Sequence, residues 1–380
     1  MAKKTLLTIG SSYRKVKKGF ITVDSTYRKL KKAFITIGGV YRPFWGGELA
    51  YYGTITELSA GRYDLATTTV GNYALFAGGR DSTNKGITNV DAYNASLTHS
   101  NPTGLSEAMF SHNATTVGDY ALFGGGWDNT NRVAMSTVNA YNSSLTRSIP
   151  TALSVARKTL GATTVGNYAL FAGGSTANNG SYVTVVDAYD KSLTRSILAE
   201  LSVARECTGA LTIGNYALFG GGYSGSMVST VDAYNSSLTH STPTELSVAR
   251  KTPGGATVGN YALFAGGATG SFVTSPISDV DAYDQSLTRT NPTSLSEARG
   301  GSNAATIDGY ALFGGGGNAM TAELASVDAY DQSLTRTNPT TMSCKRRQNV
   351  AATVGNYALF AGGFGESSSY ITSVDTYTIS

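Results

Sequence analysis

Charge is scarce in this chain of 380 residues: Asp, Glu, Lys and Arg together make up 14% of it. Proline contributes only 8 residues, histidine 3 and cysteine 2. The two cysteines, Cys207 and Cys344, are too few for a disulfide scaffold or a thiolate metal cluster. Three histidines leave little for acid–base or metal chemistry, so no cofactor and no metal site are expected. No run approaches the roughly 18 apolar residues of a membrane helix, and no membrane span is expected. The basic start, MAKKTLLTIGSSYRKVKK, also lacks an apolar stretch of signal-peptide length.

What is abundant is glycine, 45 residues, and tyrosine, 23, within a composition that is 41% apolar. That balance suits many short β-strands joined by tight turns. Charge is also unevenly placed. Residues 1–48 hold eleven Lys and Arg against Asp24 and Glu48, a net of +9, and the remaining residues carry −5. The chain thus reads as a small basic module, 1–48, joined to a larger, mildly acidic one, 49–380.

Internal periods settle the organisation of the larger part. Tyr-Ala-Leu-Phe followed by a glycine pair occurs seven times, with its Tyr at 73, 120, 168, 216, 261, 310 and 357. Val-Asp-Ala-Tyr or a near copy follows each time, its Tyr at 93, 141, 189, 234, 283, 330 and 377. Leu-Ser-x-Ala-Arg or a variant precedes each unit, and Ser-Leu-Thr-Arg/His occurs only six times. Each unit reads as four strands: a short inner strand such as Ala114-Thr115-Thr116-Val117, a two-residue Gly-Asn or Asp-Gly turn, Tyr-Ala-Leu-Phe, then Val-Asp-Ala-Tyr and Ser-Leu-Thr-Arg. Four antiparallel strands every 45–49 residues is the arithmetic of a β-propeller. The missing seventh Ser-Leu-Thr block predicts that residues 49–56 supply the outer strand of the last blade and so close two bare sheet edges.

These residues resemble the kelch repeats. Gly78-Gly79, Tyr93 and the Leu-Ser-x-Ala-Arg motif match the family's diglycine, spaced Tyr and terminal Arg. Leu97, Leu145, Leu193, Leu238, Leu287 and Leu334 stand near the place of its Trp. The resemblance covers about residues 49–380 and implies an all-β, seven-bladed kelch-like propeller preceded by a small β-hairpin-repeat module. It also implies a binding platform far more often than an oxidase. An oxidase of this kind would need a copper site with paired His and a Tyr–Cys partnership, and Cys207 and Cys344 have no nearby His in sequence. A Ser-x-Asp-x-Gly-x-Thr-Trp turn of sialidase type is absent. Asp128-Asn129-Thr130-Asn131 is one oxygen-rich loop, short of the ligand count of a calcium site. His99 and His240 replace the Arg of other units and read as surface variants, while His112 lies in a blade link. No unsymmetrical catalytic constellation stands on the repeat, and the reading is not an enzyme.

Recognition is expected on the face that carries the second-to-third-strand loops and the blade links, where the units diverge. Trp127, Tyr182, Tyr223, Phe272, Phe364 and Tyr370 fall in those loops or at their margins and could stack on sugar rings or a protein surface. Arg62, Arg157, Arg205, Arg250, Arg299 and Arg346 recur in the links, broken by Met109. They read either as an axial basic ring for a carboxylate or phosphate, or as structural groups tied to carbonyls or to the repeated Asp. That Asp (Asn139 in the second unit) recurs too regularly to mark one active site.

Residues 1–48 carry their own period of 14, with Tyr13, Tyr27 and Tyr41 in register, and read as a β-meander of three hairpins. Arg14, Lys15, Lys17, Lys18 and Arg28, Lys29, Lys31, Lys32 form two basic clusters. They suit an anionic partner, or an exposed edge guarded by lysine. No nucleic-acid fold signature accompanies them, so nucleic acid is not the expected partner. The hairpin repeats look similar to those at the N-termini of tail and other structural proteins of phages and prophages of Gram-positive bacteria. The combined expectation is a virion-associated or otherwise extracellular binding protein. Its basic module would attach it to other virion proteins, and its loops would meet a host-surface glycan or protein. The alternative is a bacterial kelch-type scaffold or surface adhesin, at the cell surface or in the cytoplasm, with a basic anchoring arm.

Overall fold

A computed structural model of the chain describes residues 20–23, 26–29, 33–37, 40–45, 48–177, 181–207, 209–270, 275–319 and 322–379. The chain divides into two compact units, with the boundary in sequence between Glu48 and Leu49. Within residues 1–48, Phe20–Val23 pairs with Thr26–Lys29 and Ala33–Ile37 with Val40–Trp45, each as a separate two-stranded antiparallel sheet. These are the second and third 14-residue repeats. The first repeat lies outside the described residues, and the described strands form hairpins without the continuous pairing of a meander.

From Leu49 onward the architecture is all-β and propeller-like. Antiparallel sheets of four strands recur seven times among the described residues, six built from one copy of the repeat each and the seventh from the last copy together with Leu49–Ile55. In the second unit, Asn113–Val117 pairs with Tyr120–Gly124, which pairs with Val138–Asn142, which pairs with Arg147–Ser148. Tyr-Ala-Leu-Phe is the second strand everywhere, and its Ala, Leu and Phe are buried in every copy. The chain's final strand, Val374–Ile379, has no sequential partner on its outer side. Leu49–Ile55 fills that place, as expected for residues 49–56.

Three sets of repeated hydrogen bonds explain why the units stand side by side. The Tyr hydroxyl of each Val-Asp-Ala-Tyr strand donates to a link carbonyl 35–39 residues earlier, as Tyr93 does to Thr56 O at 2.8 Å and Tyr377 to Thr340 O at 2.7 Å. On the inner strands, Thr116 donates to Thr69 O, Thr164 to Thr116 O, and Thr212 to Thr164 O. Thr257, Thr306 and Thr353 continue the series. An inner strand has one bare edge, and these hydroxyls satisfy carbonyls along it. The second glycine of each pair donates its N–H to the link carbonyl of the following unit, from Gly79 to Met109 O at 2.9 Å onward. The last such bond runs from Gly363 back to Arg62 O at 2.8 Å. Both glycines have positive φ, 62° and 102° at Gly78 and Gly79. A Cβ on Gly221 would lie 2.5 Å from Arg250 O, so side chains there would force the units apart.

One expected strand moves. Ser-Leu-Thr is a turn, and the outer strand starts only at the following Arg or His. The Asn or Asp before it accepts from the backbone N–H groups two and four residues on, as Asn94 Oδ1 does from Ser96 and Thr98 at 2.9 Å each. The Leu between them sits at φ between 60° and 63° in all six copies. Such a conformation is rare for a branched side chain. Here it lets the leucine pack on the buried clusters, as Leu97, Leu145 and Leu193 do.

Candidate functional site

The link arginines are not a surface. Arg62, Arg157, Arg205, Arg250, Arg299 and Arg346 are fully buried, each beside the repeated Asp of its own unit. Arg157 Nη2 lies 2.7 Å from Asp187 Oδ2 and donates to Phe171 O at 3.0 Å. The Asp completes the clamp by accepting from the Ser that follows the link Leu or Met, as Asp187 does from Ser154 N at 3.1 Å. The axial basic ring is therefore corrected to six internal ion pairs that fasten each link to its sheet. Burial pushes the pKa of Asp91 and Asp232 up, but the guanidinium groups of Arg62 and Arg205, together with hydrogen bonds from Ser59 and His99 and from Ser202 and His240, hold both carboxyls below the usual range.

The second unit departs at both ends of this pair at once. Met109 replaces the Arg and Asn139 the Asp. Asn139 Oδ1 still accepts from Ser106 N at 2.9 Å. His99 and His240 are also more than surface variants: each ring Nε2 lies 2.7 Å from the second oxygen of the buried Asp. Arg195, Arg289 and Arg336 approach the same oxygen at 3.2–3.4 Å.

Two positions per unit build the rim on the loop side of this frame. One immediately follows the link Arg or Met; the other immediately follows the glycine pair. They face each other across short antiparallel bridges: Tyr63 with Arg80, Phe110 with Trp127, Lys158 with Ser175, Glu206 with Tyr223, Lys251 with Ala268, Gly300 with Gly317, and Arg347 with Phe364. Backbone bonds such as Glu206 N to Tyr223 O, 2.9 Å, fix the spacing. The side chains then interlock between neighbouring units. Arg80 lies 3.8 Å from the centroid of Phe110, Lys158 Nζ 4.4 Å from that of Trp127, and Lys251 Nζ 5.5 Å from that of Tyr223. Tyr63 meets Phe364 at 5.6 Å. These are cation–π and edge-to-face geometries.

The loop aromatics divide accordingly. Phe364 and Tyr370 lie 5.5 Å apart, both against Tyr63, and Tyr182 meets Tyr223 edge to face at 5.8 Å. All four are half-buried. Trp127 is only 4% exposed, which corrects its reading as an exposed contact: pairing with Phe110 and the cover of Lys158 hold it inside. Beside it an open cleft of about 670 Å³ is lined by Val133, Ala134, Val155 and Ala156. Phe272, Arg14, Lys15, Lys17, Lys18, Lys31 and Lys32 lie outside the described residues. Arg28 and Lys29 lie on the strand Thr26–Lys29.

Charge on the rim is mixed and partly desolvated. Burial raises the Glu206 carboxyl against the lowering influence of Lys158 and Lys251. Burial lowers both ammonium groups, against the opposing pull of Glu206. Asp64, next to Tyr63, is likewise raised by burial. It accepts from Gln348 Nε2 at 2.7 Å, a contact between the last unit and the first. Tyr63, Arg80, Phe110, Lys158, Glu206, Lys251 and Arg347 escaped the reading of the sequence. Their signal was present: the residue after the most regular Arg of the repeat is itself the most varied.

No family model matches this chain, and no curated protein does. Among solved structures it is similar to that of YjhT, at 11% identity and a TM-score of 0.61. The match covers 75% of this chain and 99% of that one. That likeness concerns the fold alone.

Proposed function

We propose that residues 49–380 form a closed, seven-bladed, kelch-like propeller that recognises a receptor or partner through its loop face, without catalysis. Residues 1–48 would attach it to a larger particle, a phage virion being the reading favoured by the basic hairpin repeats. One observation supports recognition above all. Seven units share strands, glycine pairs and inter-unit bonds, yet the rim carries a different residue pair in each: Tyr63/Arg80, Phe110/Trp127, Lys158/Ser175, Glu206/Tyr223, Lys251/Ala268, Gly300/Gly317 and Arg347/Phe364. A uniform frame with divergent side chains at one rim suits binding.

The test compares full-length chain with residues 49–380 for incorporation into particles produced in the host. The shorter chain should stay folded and be lost from the particles. Equal incorporation of both, or no particle association of either, would replace the virion reading with that of a cellular scaffold.

A further inference from the structure

The arc of the rim formed by the third, fourth and fifth units has a chemistry of its own. Three consecutive link positions carry Lys158, Glu206 and Lys251, with Tyr182 and Tyr223 set between them in edge-to-face contact at 5.8 Å. In the third unit the residue after the glycine pair is only Ser175, where Arg80, Trp127, Tyr223 and Phe364 stand elsewhere; it bridges to Lys158 on one side and to Tyr182 on the other. All five side chains are half-buried.

We infer that this arc is a saccharide-binding site, in which Tyr182 and Tyr223 meet the C–H face of a sugar ring while Glu206, Lys158 and Lys251 bond its hydroxyls. The inference rests on the proposed role of the loop face. A pyranose offers an apolar face and vicinal hydroxyls that both donate and accept. An aromatic pair beside one carboxylate and two ammonium groups matches both features. A flat protein partner fits less well. Among the described residues the exposed large apolar side chains are Tyr52, Val133, Ile149 and Ile197; only Val133, in a second-to-third-strand loop, and Ile149, in a blade link, lie in the segments of that face, too few for an apolar patch. Desolvation of the Glu206 carboxyl is consistent with a sheltered contact.

The full-length protein would be applied to a printed array of bacterial and animal glycans, and the strongest glycan then titrated in solution. Retention is expected, with affinity reduced on the order of tenfold by Tyr182→Ala and by Glu206→Gln. Tyr52→Ala, at the far edge of the last sheet, should bind as wild type. Unchanged melting temperatures would separate lost contacts from lost folding. A blank array overturns the inference, as does a glycan whose affinity neither Tyr182→Ala nor Glu206→Gln alters. If the array is blank but rim substitutions abolish attachment to host cells, loop-face recognition stands and the saccharide does not. If rim substitutions leave attachment unchanged as well, both readings fall.

Discussion

The second unit and the other six share strands, turns and glycines, and they differ in the charge they bury. Six units place an arginine and an aspartate, both fully buried, against each other, while the second places Met109 and Asn139 there. A lone buried charge is far more costly than a matched pair or a matched neutral couple. The repeat has accordingly lost both partners together. Asn139 keeps the bond to Ser106 N, so the aspartate's geometric role outlives its charge. Arg147, whose counterparts Arg195, Arg289 and Arg336 reach the aspartate, donates instead to Gly104 O. The motif therefore has two separable parts: an acceptor that fastens the link, and an ion pair that is optional when absent as a whole.

The largest effect should come from breaking that rule in the third unit. Arg157→Met leaves Asp187 buried with only the partly exposed Arg195, 3.2 Å from its other oxygen, and we expect a loss of about 3 kcal/mol in chemical denaturation, the low end for a broken buried pair. Arg157→Met combined with Asp187→Asn copies the second unit and should recover most of that loss. A double variant as unstable as the single one would show that the pair is held by packing rather than by charge matching.

The second unit's neutrality extends to His112, which lies against the glycine pairs. A Cβ on Gly78 would meet its Cε1 at 2.6 Å, and one on Gly126 its Cβ at 3.0 Å. The side chain is 6% exposed. Burial lowers its pKa from 6.5 to about 4. The unfolded chain therefore takes up this proton first as the pH falls. Stability attached to the neutral ring is intact above about pH 6.5 and is lost between there and pH 4, by up to about 3 kcal/mol. His112→Leu copies Leu65 and Leu160 at the same place in the first and third units. It should flatten this part of the stability profile relative to wild type, and an unchanged profile would assign the acid sensitivity to other groups.

How far the sequence reveals this molecule follows from the same contrast. Periodic features were legible because repetition exposes them: the Tyr-Ala-Leu-Phe strand, the glycine pair, the spaced Arg and Asp, and Leu49–Ile55 as partner of the last strand. The joint loss of Arg and Asp in the second unit was legible too, as two substitutions in one repeat. The Ser-Leu-Thr turn was hidden, because a leucine at φ near 61° contradicts ordinary preference and only its packing explains it. The rim was hidden for a different reason. Its positions recur but their residue pairs differ from unit to unit, and side-chain contacts such as that of Arg80 with Phe110 cross into a neighbouring unit. No local pattern announces a contact between non-repeating side chains thirty residues apart.

The smallest expected effect distinguishes frame from rim. Lys158 lies 4.4 Å from the Trp127 centroid, across the boundary between the second and third units, and is half-buried. If its role is to clamp the two units, Lys158→Ala should cost several kcal/mol. A cation–π contact at a partly solvated site is worth about 0.5–1 kcal/mol. The same boundary already holds the Gly126 N to Arg157 O bond at 2.9 Å and the Thr164 bond to Thr116 O. We therefore expect a loss below about 1 kcal/mol in denaturation. A larger loss would place Lys158 with the buried arginines as part of the scaffold rather than of the rim.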